Sequence, residues 1–241
     1  MPSALSRRAL FGYTTAAAVG AAVATTGMAV GSPRAAARPL GTLLDYSAGV
    51  PAAEAIKNAG HLGVIRYVSD RRPGAEWMVG KPLRRAEVET LRAAGLRIVS
   101  CYQYGKGPTA DWRGGQEAGK RHAERGLGLH RAAGGPEGRP IYASIDDNPT
   151  PIDFATLVLP YLQGWQAVLG QENTGVYANA PTIELARLAG VGSWYWQHNW
   201  GTPAGFVHPA AHLHQVEIDR RTVDGVGVDV NDILTPEYGA W

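Results

Sequence analysis

Eight short strand-like runs lie between residues 43 and 230, and helical stretches separate the first six. Strands that alternate with helices pair in parallel, so this pattern constrains the fold more than any other feature of the chain. The runs are Leu43–Tyr46, Val64–Val68, Leu96–Tyr102, Pro140–Ile145, Thr174–Tyr177, Ser193–Gln197, Leu213–Glu217 and Val226–Val230. Pro51 opens a helix through Ala59 and Gly60 stops it; Pro82 opens another that Gly95 ends, with Leu83, Ala86, Val88 and Leu91 on its buried side. Further helices are expected over Asp111–Ala133, Ile152–Leu169 and Pro181–Leu188, with a kink or break at Pro160. After Gly190 the connections are loops rich in Pro, Gly and His.

Eight strands on roughly 200 residues fit an α/β fold consisting of a single trimmed (β/α)8 TIM barrel. An open doubly wound sheet is the alternative, opposed by the absence of Gly-x-Gly-x-x-Gly and of any phosphate loop. At 45% hydrophobic and 18% charged residues the chain is globular. Cys101 is the only cysteine, so no intramolecular disulfide can form.

The first 37 residues read differently. Ser6-Arg7-Arg8-Ala9-Leu10-Phe11 precedes an uncharged run from Gly12 to Pro33 and the small-residue site Ala35-Ala36-Ala37. This is the pattern of a secretory signal, and the paired arginines point to the twin-arginine translocase. Residues 1–37 are therefore expected to be the signal and 38–241 the folded domain, exported to the cell envelope or beyond, with no stable membrane span once the signal is cleaved. Removing Arg7, Arg8 and Arg34 leaves 20 Lys+Arg against 21 Asp+Glu, so no basic footprint for nucleic acid remains.

In a barrel of this kind, chemistry sits where strands end. Asp45, the adjacent Asp146 and Asp147, Glu217 and Asp229 fall at such ends and form the candidate catalytic set. Strands one and eight are neighbours in a closed barrel, so Asp45 and Asp229 should lie side by side, with Asp146 across the mouth. Crowded carboxylates raise one another's pKa, and glycosidic cleavage needs one proton donor and one base or nucleophile. Asp146 is the first candidate for general acid or for orienting the sugar; Asp45 and Asp229 would supply the base or stabilise positive charge. Trp194, Trp196, His198 and Trp200 share one parity along Gly192–Gly201, as stacking platforms for sugar faces would. Tyr104, Asn148, Trp196, Gln197, His198, Gln215 and Asn231 are the candidate substrate-binding residues. No metal or other cofactor is expected, because His208, His212 and His214 lack metal-ligand spacing. Arg66 points either at the carboxylates or into a structural ion pair.

Six ordered motifs carry a family resemblance: Leu43–Tyr46, Arg66–Asp70, Cys101–Gly105, Tyr142–Asn148, Trp196–His198 and Gly227–Asn231. With these the chain resembles the twin-arginine-exported, glycoside-hydrolase-like TIM-barrel family of actinobacteria. More distantly it is similar to the family-25 muramidases, which cleave the peptidoglycan glycan. That likeness matches Asp45 and Asp229 to acids on strands one and eight. It also implies a catalytic Glu at the end of strand four, where this chain has Asn148. An amide cannot donate a proton as a carboxylic acid does; Asp147 and Glu217 are two residues that could take its place. The resemblance implies an exported protein acting on cell-envelope polysaccharide or peptidoglycan glycan; a glycan-binding or envelope-regulating protein on a hydrolase barrel is the alternative.

Overall fold

The computed structural model describes residues 38–241; the expected signal, residues 1–37, lies outside them. Eight strands close into a barrel in sequential order: β1 (Thr42–Asp45), β2 (Gly63–Tyr67), β3 (Arg97–Tyr102), β4 (Ile141–Ser144), β5 (Thr174–Asn179), β6 (Trp194–His198), β7 (Leu213–Val223) and β8 (Val226–Ile233). The pairs from β1–β2 through β6–β7 are parallel. The last strand departs from the all-parallel expectation. A tight turn at Asp224-Gly225 sends β8 back along β7, so β8 runs antiparallel to both β7 and β1. Gly225 takes the left-handed φ of 74° that such a turn demands.

Successive strand residues alternate between two environments. Leu43, Ile65, Val99, Cys101, Tyr142, Tyr177, Trp196, Leu213 and Ile233 fill the barrel interior. Residues of the other parity pack under the helices in two clusters, one around Phe154, Tyr161 and Trp165, the other around Ile56, Val88 and Leu91. The helices are α1 (Ala53–Asn58), α2 (Arg85–Ala93), α3 (Gly115–Ala133), α4 (Pro151–Asp153), α5 (Leu159–Leu169) and α6 (Ala180–Leu188). Among the described residues no helix is long and apolar enough to cross a membrane.

Two local features differ from the sequence expectation. The second helix begins at Arg85, not at Pro82, because Leu83 still pairs its backbone N–H with Tyr67 O. Pro160 does not break its helix. A π-helical turn, Phe154–Val158, joins α4 to α5 just ahead of it. The wider turn accommodates a residue that lacks an N–H and would crowd the preceding carbonyls. Thr156 Oγ1 donates to Ile152 O at 2.7 Å, taking up one carbonyl there.

Two contacts hold the helical layer in place. Arg66, fully buried, faces away from the carboxylates, which decides between the two sequence alternatives. Its guanidinium bonds to Glu87 of α2, to Tyr46 O beyond β1 and to Gly80 O in the β2–α2 loop. Helices α3 and α5 cross at glycine: a Cβ at Gly119 would lie 2.1 Å from Tyr161 O, and one at Gly164 2.3 Å from Gln116 O.

Removing Arg66 strands a buried carboxylate and two carbonyls. Arg66→Ala is expected to cost about 3–5 kcal/mol, read as a lower urea midpoint at unchanged slope. Gly164→Ala forces the crossing helices apart and is expected to cost about 1–3 kcal/mol by the same measurement; an unchanged midpoint would show that the crossing yields freely.

Candidate active site

The site begins at the seam where the barrel closes. Asp45, the last residue of β1, pairs directly with Asp229 of β8, so their side chains emerge on one face. Asp45 is buried and accepts from Asn231 Nδ2 at 2.8 Å, Gln215 Nε2 at 3.2 Å and Tyr67 Oη at 3.2 Å. The same Gln215 nitrogen reaches Asp229 Oδ2 at 3.1 Å, bridging the two carboxyls. Gln215 is oriented in turn by Tyr177 Oη, which donates to Gln215 Oε1 at 2.6 Å, and Asn231 by Trp196 Nε1, at 2.9 Å from Asn231 Oδ1. Asp219 N–H donates to the other Asp229 oxygen at 2.9 Å.

Burial dominates the electrostatics of this pair. It raises the Asp45 pKa against the three donors that favour the charged form. Burial, reinforced by the Asp45 charge, pushes the Asp229 carboxyl up to about 7. Two carboxyls this close and this dry hold a proton near neutral pH.

Across the mouth, Asp146 follows β4 at the inward parity of Tyr142 and Ser144. It accepts from Gln103 Nε2 at 2.8 Å and forms an ion pair with Lys106 at 3.1 Å. Between Asp146 and Asp229 lies a cavity of about 210 Å³, with Tyr67, Tyr177, Trp196 and Trp200 among its walls.

The structure brings together Asp45, Asp146, Asp229, Trp196, Gln215 and Asn231 from the sequence candidates, with Asp45 and Asn231 beneath the cavity wall. It separates the others. Asp147 takes the outward parity and lies 3.4 Å from Arg113. Asn148 is exposed, its Oδ1 accepting from Asn179 Nδ2 at 2.8 Å. Glu217 is turned away by a β-bulge: Gln215 pairs with Asn231 but Glu217 with Val230, so one extra residue resets the alternation. Its carboxylate is held by Arg221 at 2.8 Å on the surface, which lowers its pKa. Neither candidate substitute for the strand-four Glu therefore reaches the cavity.

Three binding candidates also move. Gln197 faces outward and clamps the β6–β7 loop, donating to Phe206 O and accepting from His208 N. Tyr104 packs under the helices. His198 is fully buried and stacks on Trp200 at 3.8 Å; burial pushes its pKa down to about 4, leaving it neutral. The cavity instead receives Tyr67, Gln103, Lys81 and Tyr177. Parity was the available signal for two of these, since Gln103 follows the inward Val99 and Cys101, and Tyr67 follows Ile65.

A family model for the Rv2525c-like, glycoside hydrolase-like domain matches residues 54–233. Rv2525c of Mycobacterium tuberculosis (strain ATCC 25618 / H37Rv), a candidate peptidoglycan hydrolase by its name, is 61% identical over 207 residues, 86% of each chain. The crystal structure of that Tat-secreted protein in complex with L-tartrate superposes with a TM-score of 0.83 at 62% identity, covering 84% of this chain and 99% of the other. Two more distant structures share the fold: the bacterial lysozyme of Streptomyces coelicolor (TM-score 0.55, 16% identity, 80% and 92% covered) and the GH25 lysozyme of Aspergillus fumigatus (TM-score 0.52, 13% identity, 81% and 94% covered). A Tat-secreted relative this similar agrees with the paired-arginine segment at Ser6–Phe11, and the protein is exported, to the cell envelope or beyond it. With three quarters of its length matched by one model, the chain belongs to the Rv2525c-like family of glycoside hydrolase-like domains.

Proposed function

We propose that this exported protein hydrolyses glycosidic bonds of cell-envelope glycan, with peptidoglycan the first substrate to try. The reading includes residues 1–37 as a twin-arginine signal cleaved near Ala37, with 38–241 as the acting domain. One observation carries the proposed chemistry: a carboxyl pair bridged by Gln215 faces an ion-paired carboxylate across one cavity. Asp229 lines the cavity and is the proton donor to the leaving oxygen. Burial, reinforced by Asp45 behind it, keeps that proton in place. Asp146 serves as the negative partner that stabilises the developing oxocarbenium ion or activates water. This reverses the assignment expected from sequence, in which Asp146 came first as acid, because Asp146 is met by an ammonium and an amide donor while Asp229 is the group that holds a proton. The Lys106 ammonium on Asp146 favours a second reading, glycan binding without turnover, since it occupies the carboxylate that catalysis would use.

Incubation with purified actinobacterial cell wall, with products read by mass spectrometry, separates the two. Hydrolysis predicts soluble glycan fragments, reduced about 10²–10⁴-fold by Asp229→Asn and by Asp146→Asn. The rate should fall as pH rises through about 7, because Asp229 must carry its proton. Retention on the wall without fragments would establish binding alone.

The same pair predicts a stability profile. Both acids titrate higher in the folded state than the usual 3.9 or so of an unfolded Asp. The pair thus binds more protons in the folded form between about pH 4 and 7, and its contribution to stability is lost as pH rises through that window, while the histidines whose pKa values burial lowers contribute in the opposite direction. Compared with the parent protein, Asp229→Asn should gain in thermal midpoint between pH 5 and pH 7.5, because the parent must ionise this buried site and the variant does not.

A further inference from the structure

The cavity has a second chemical character in the β2–α2 loop, beside the Tyr67 wall. We propose that Lys81, Arg72 and Trp77, all in the β2–α2 loop, form a subsite for a negatively charged sugar substituent, carboxylate or phosphate. The proposal rests on the glycan reading above and narrows it: the glycan is acidic.

Lys81 is 3% exposed yet lines the cavity. Its Nζ donates to Gln103 O at 2.8 Å and sits 3.9 Å from the centre of the Tyr67 ring. An ammonium has three donors and this one bonds a single neutral acceptor. Among the described residues neither Lys81 nor Arg72 forms an ion pair; the Arg72 guanidinium meets only Met78 Sδ, at 4.0 Å. A buried cation without a counter-ion is costly, and an arriving anion removes that cost while gaining charge-assisted hydrogen bonds. Burial lowers the Lys81 pKa to about 8, which still leaves it charged at neutral pH.

The surroundings are those of a built site. Gly80 N–H donates to Ser47 O, and Arg66 holds Gly80 O, so the residue before Lys81 is fixed from two sides. Trp77 is 55% exposed at the rim and offers a flat apolar plate to a sugar ring. Ser144 Oγ, buried and unpartnered, faces the cavity floor. Asp146 and Asp229 both line the cavity and repel an anion, so the charged substituent would lie against Lys81 and Arg72 and the reacting bond between the two carboxyls.

The test is binding, measured by intrinsic tryptophan fluorescence with methyl glucuronide, glucose 6-phosphate and neutral methyl glucoside. At least one anionic sugar should bind about tenfold tighter than the neutral one, and which of them does so identifies the charge as carboxylate or phosphate. Lys81→Met, which keeps an unbranched stem over Tyr67, and Arg72→Gln at the solvent-facing rim should each abolish the preference. Should Lys81→Met fail to fold, Arg72→Gln carries the test. Equal affinity for all three sugars, undetectable binding of both anions, or a preference that survives in Arg72→Gln overturns the inference. A preference in protein that releases no wall fragments upholds the subsite while sinking hydrolysis; fragments without a preference do the reverse.

Discussion

The antiparallel pairing of β8 with β1 is the constraint on which the rest of the site depends. In a barrel of parallel strands, the eighth strand would reach the mouth with its C-terminal end. Here β8 comes back down from the β7 turn, and its Asp229 falls opposite Asp45 through hydrogen-bond register. Two carboxyls are thereby placed on one rung. Gln215, Asn231 and Tyr67 then have a fixed target, and the tyrosine and tryptophan that orient the two amides close the network beneath.

A second cluster does for the helical side what this network does for the interior. Burying a guanidinium is favourable only when its donors find acceptors, and Arg66 finds them on three separate segments. The end of β1, the β2–α2 loop and α2 are therefore held relative to one another by a single side chain. Rigidity at Gly80 is transmitted one residue on to Lys81, whose ammonium touches both the Gln103 carbonyl and the Tyr67 ring. Gln103 in turn holds Asp146. The two walls of the cavity are linked by this short relay of contacts.

Much of this was legible from residue order, and the failures have physical reasons. Strand and helix alternation named all eight strands, because apolar runs bounded by Gly and Pro are strong local signals. The neighbourhood of Asp45 and Asp229 was also expected, though from closure of a parallel barrel and not from the reversed strand that produces it. What residue order obscured was facing. Asp147 and Tyr104 lie one residue from the inward parity, where a single step moves a side chain from cavity to helix layer. Glu217 obeys the inward parity of Gln215 on paper, but the bulge at Val216 is a backbone event with no Gly to announce it. Gln197 is held by the loop that follows its strand, and His198 Nε2 lies 3.1 Å from Ile145 O, a partner 53 residues away in sequence.

The Asp45–Asp229 rung has a further consequence for how such a barrel diversifies. The acid strength of Asp229 comes from burial and from the carboxyl beside it, both set by regular strand pairing. The residues that would distinguish one sugar from another sit in connecting loops, which tolerate insertion and exchange. Loop residues around the cavity can therefore be exchanged without changing the strand pairing that sets the Asp229 environment.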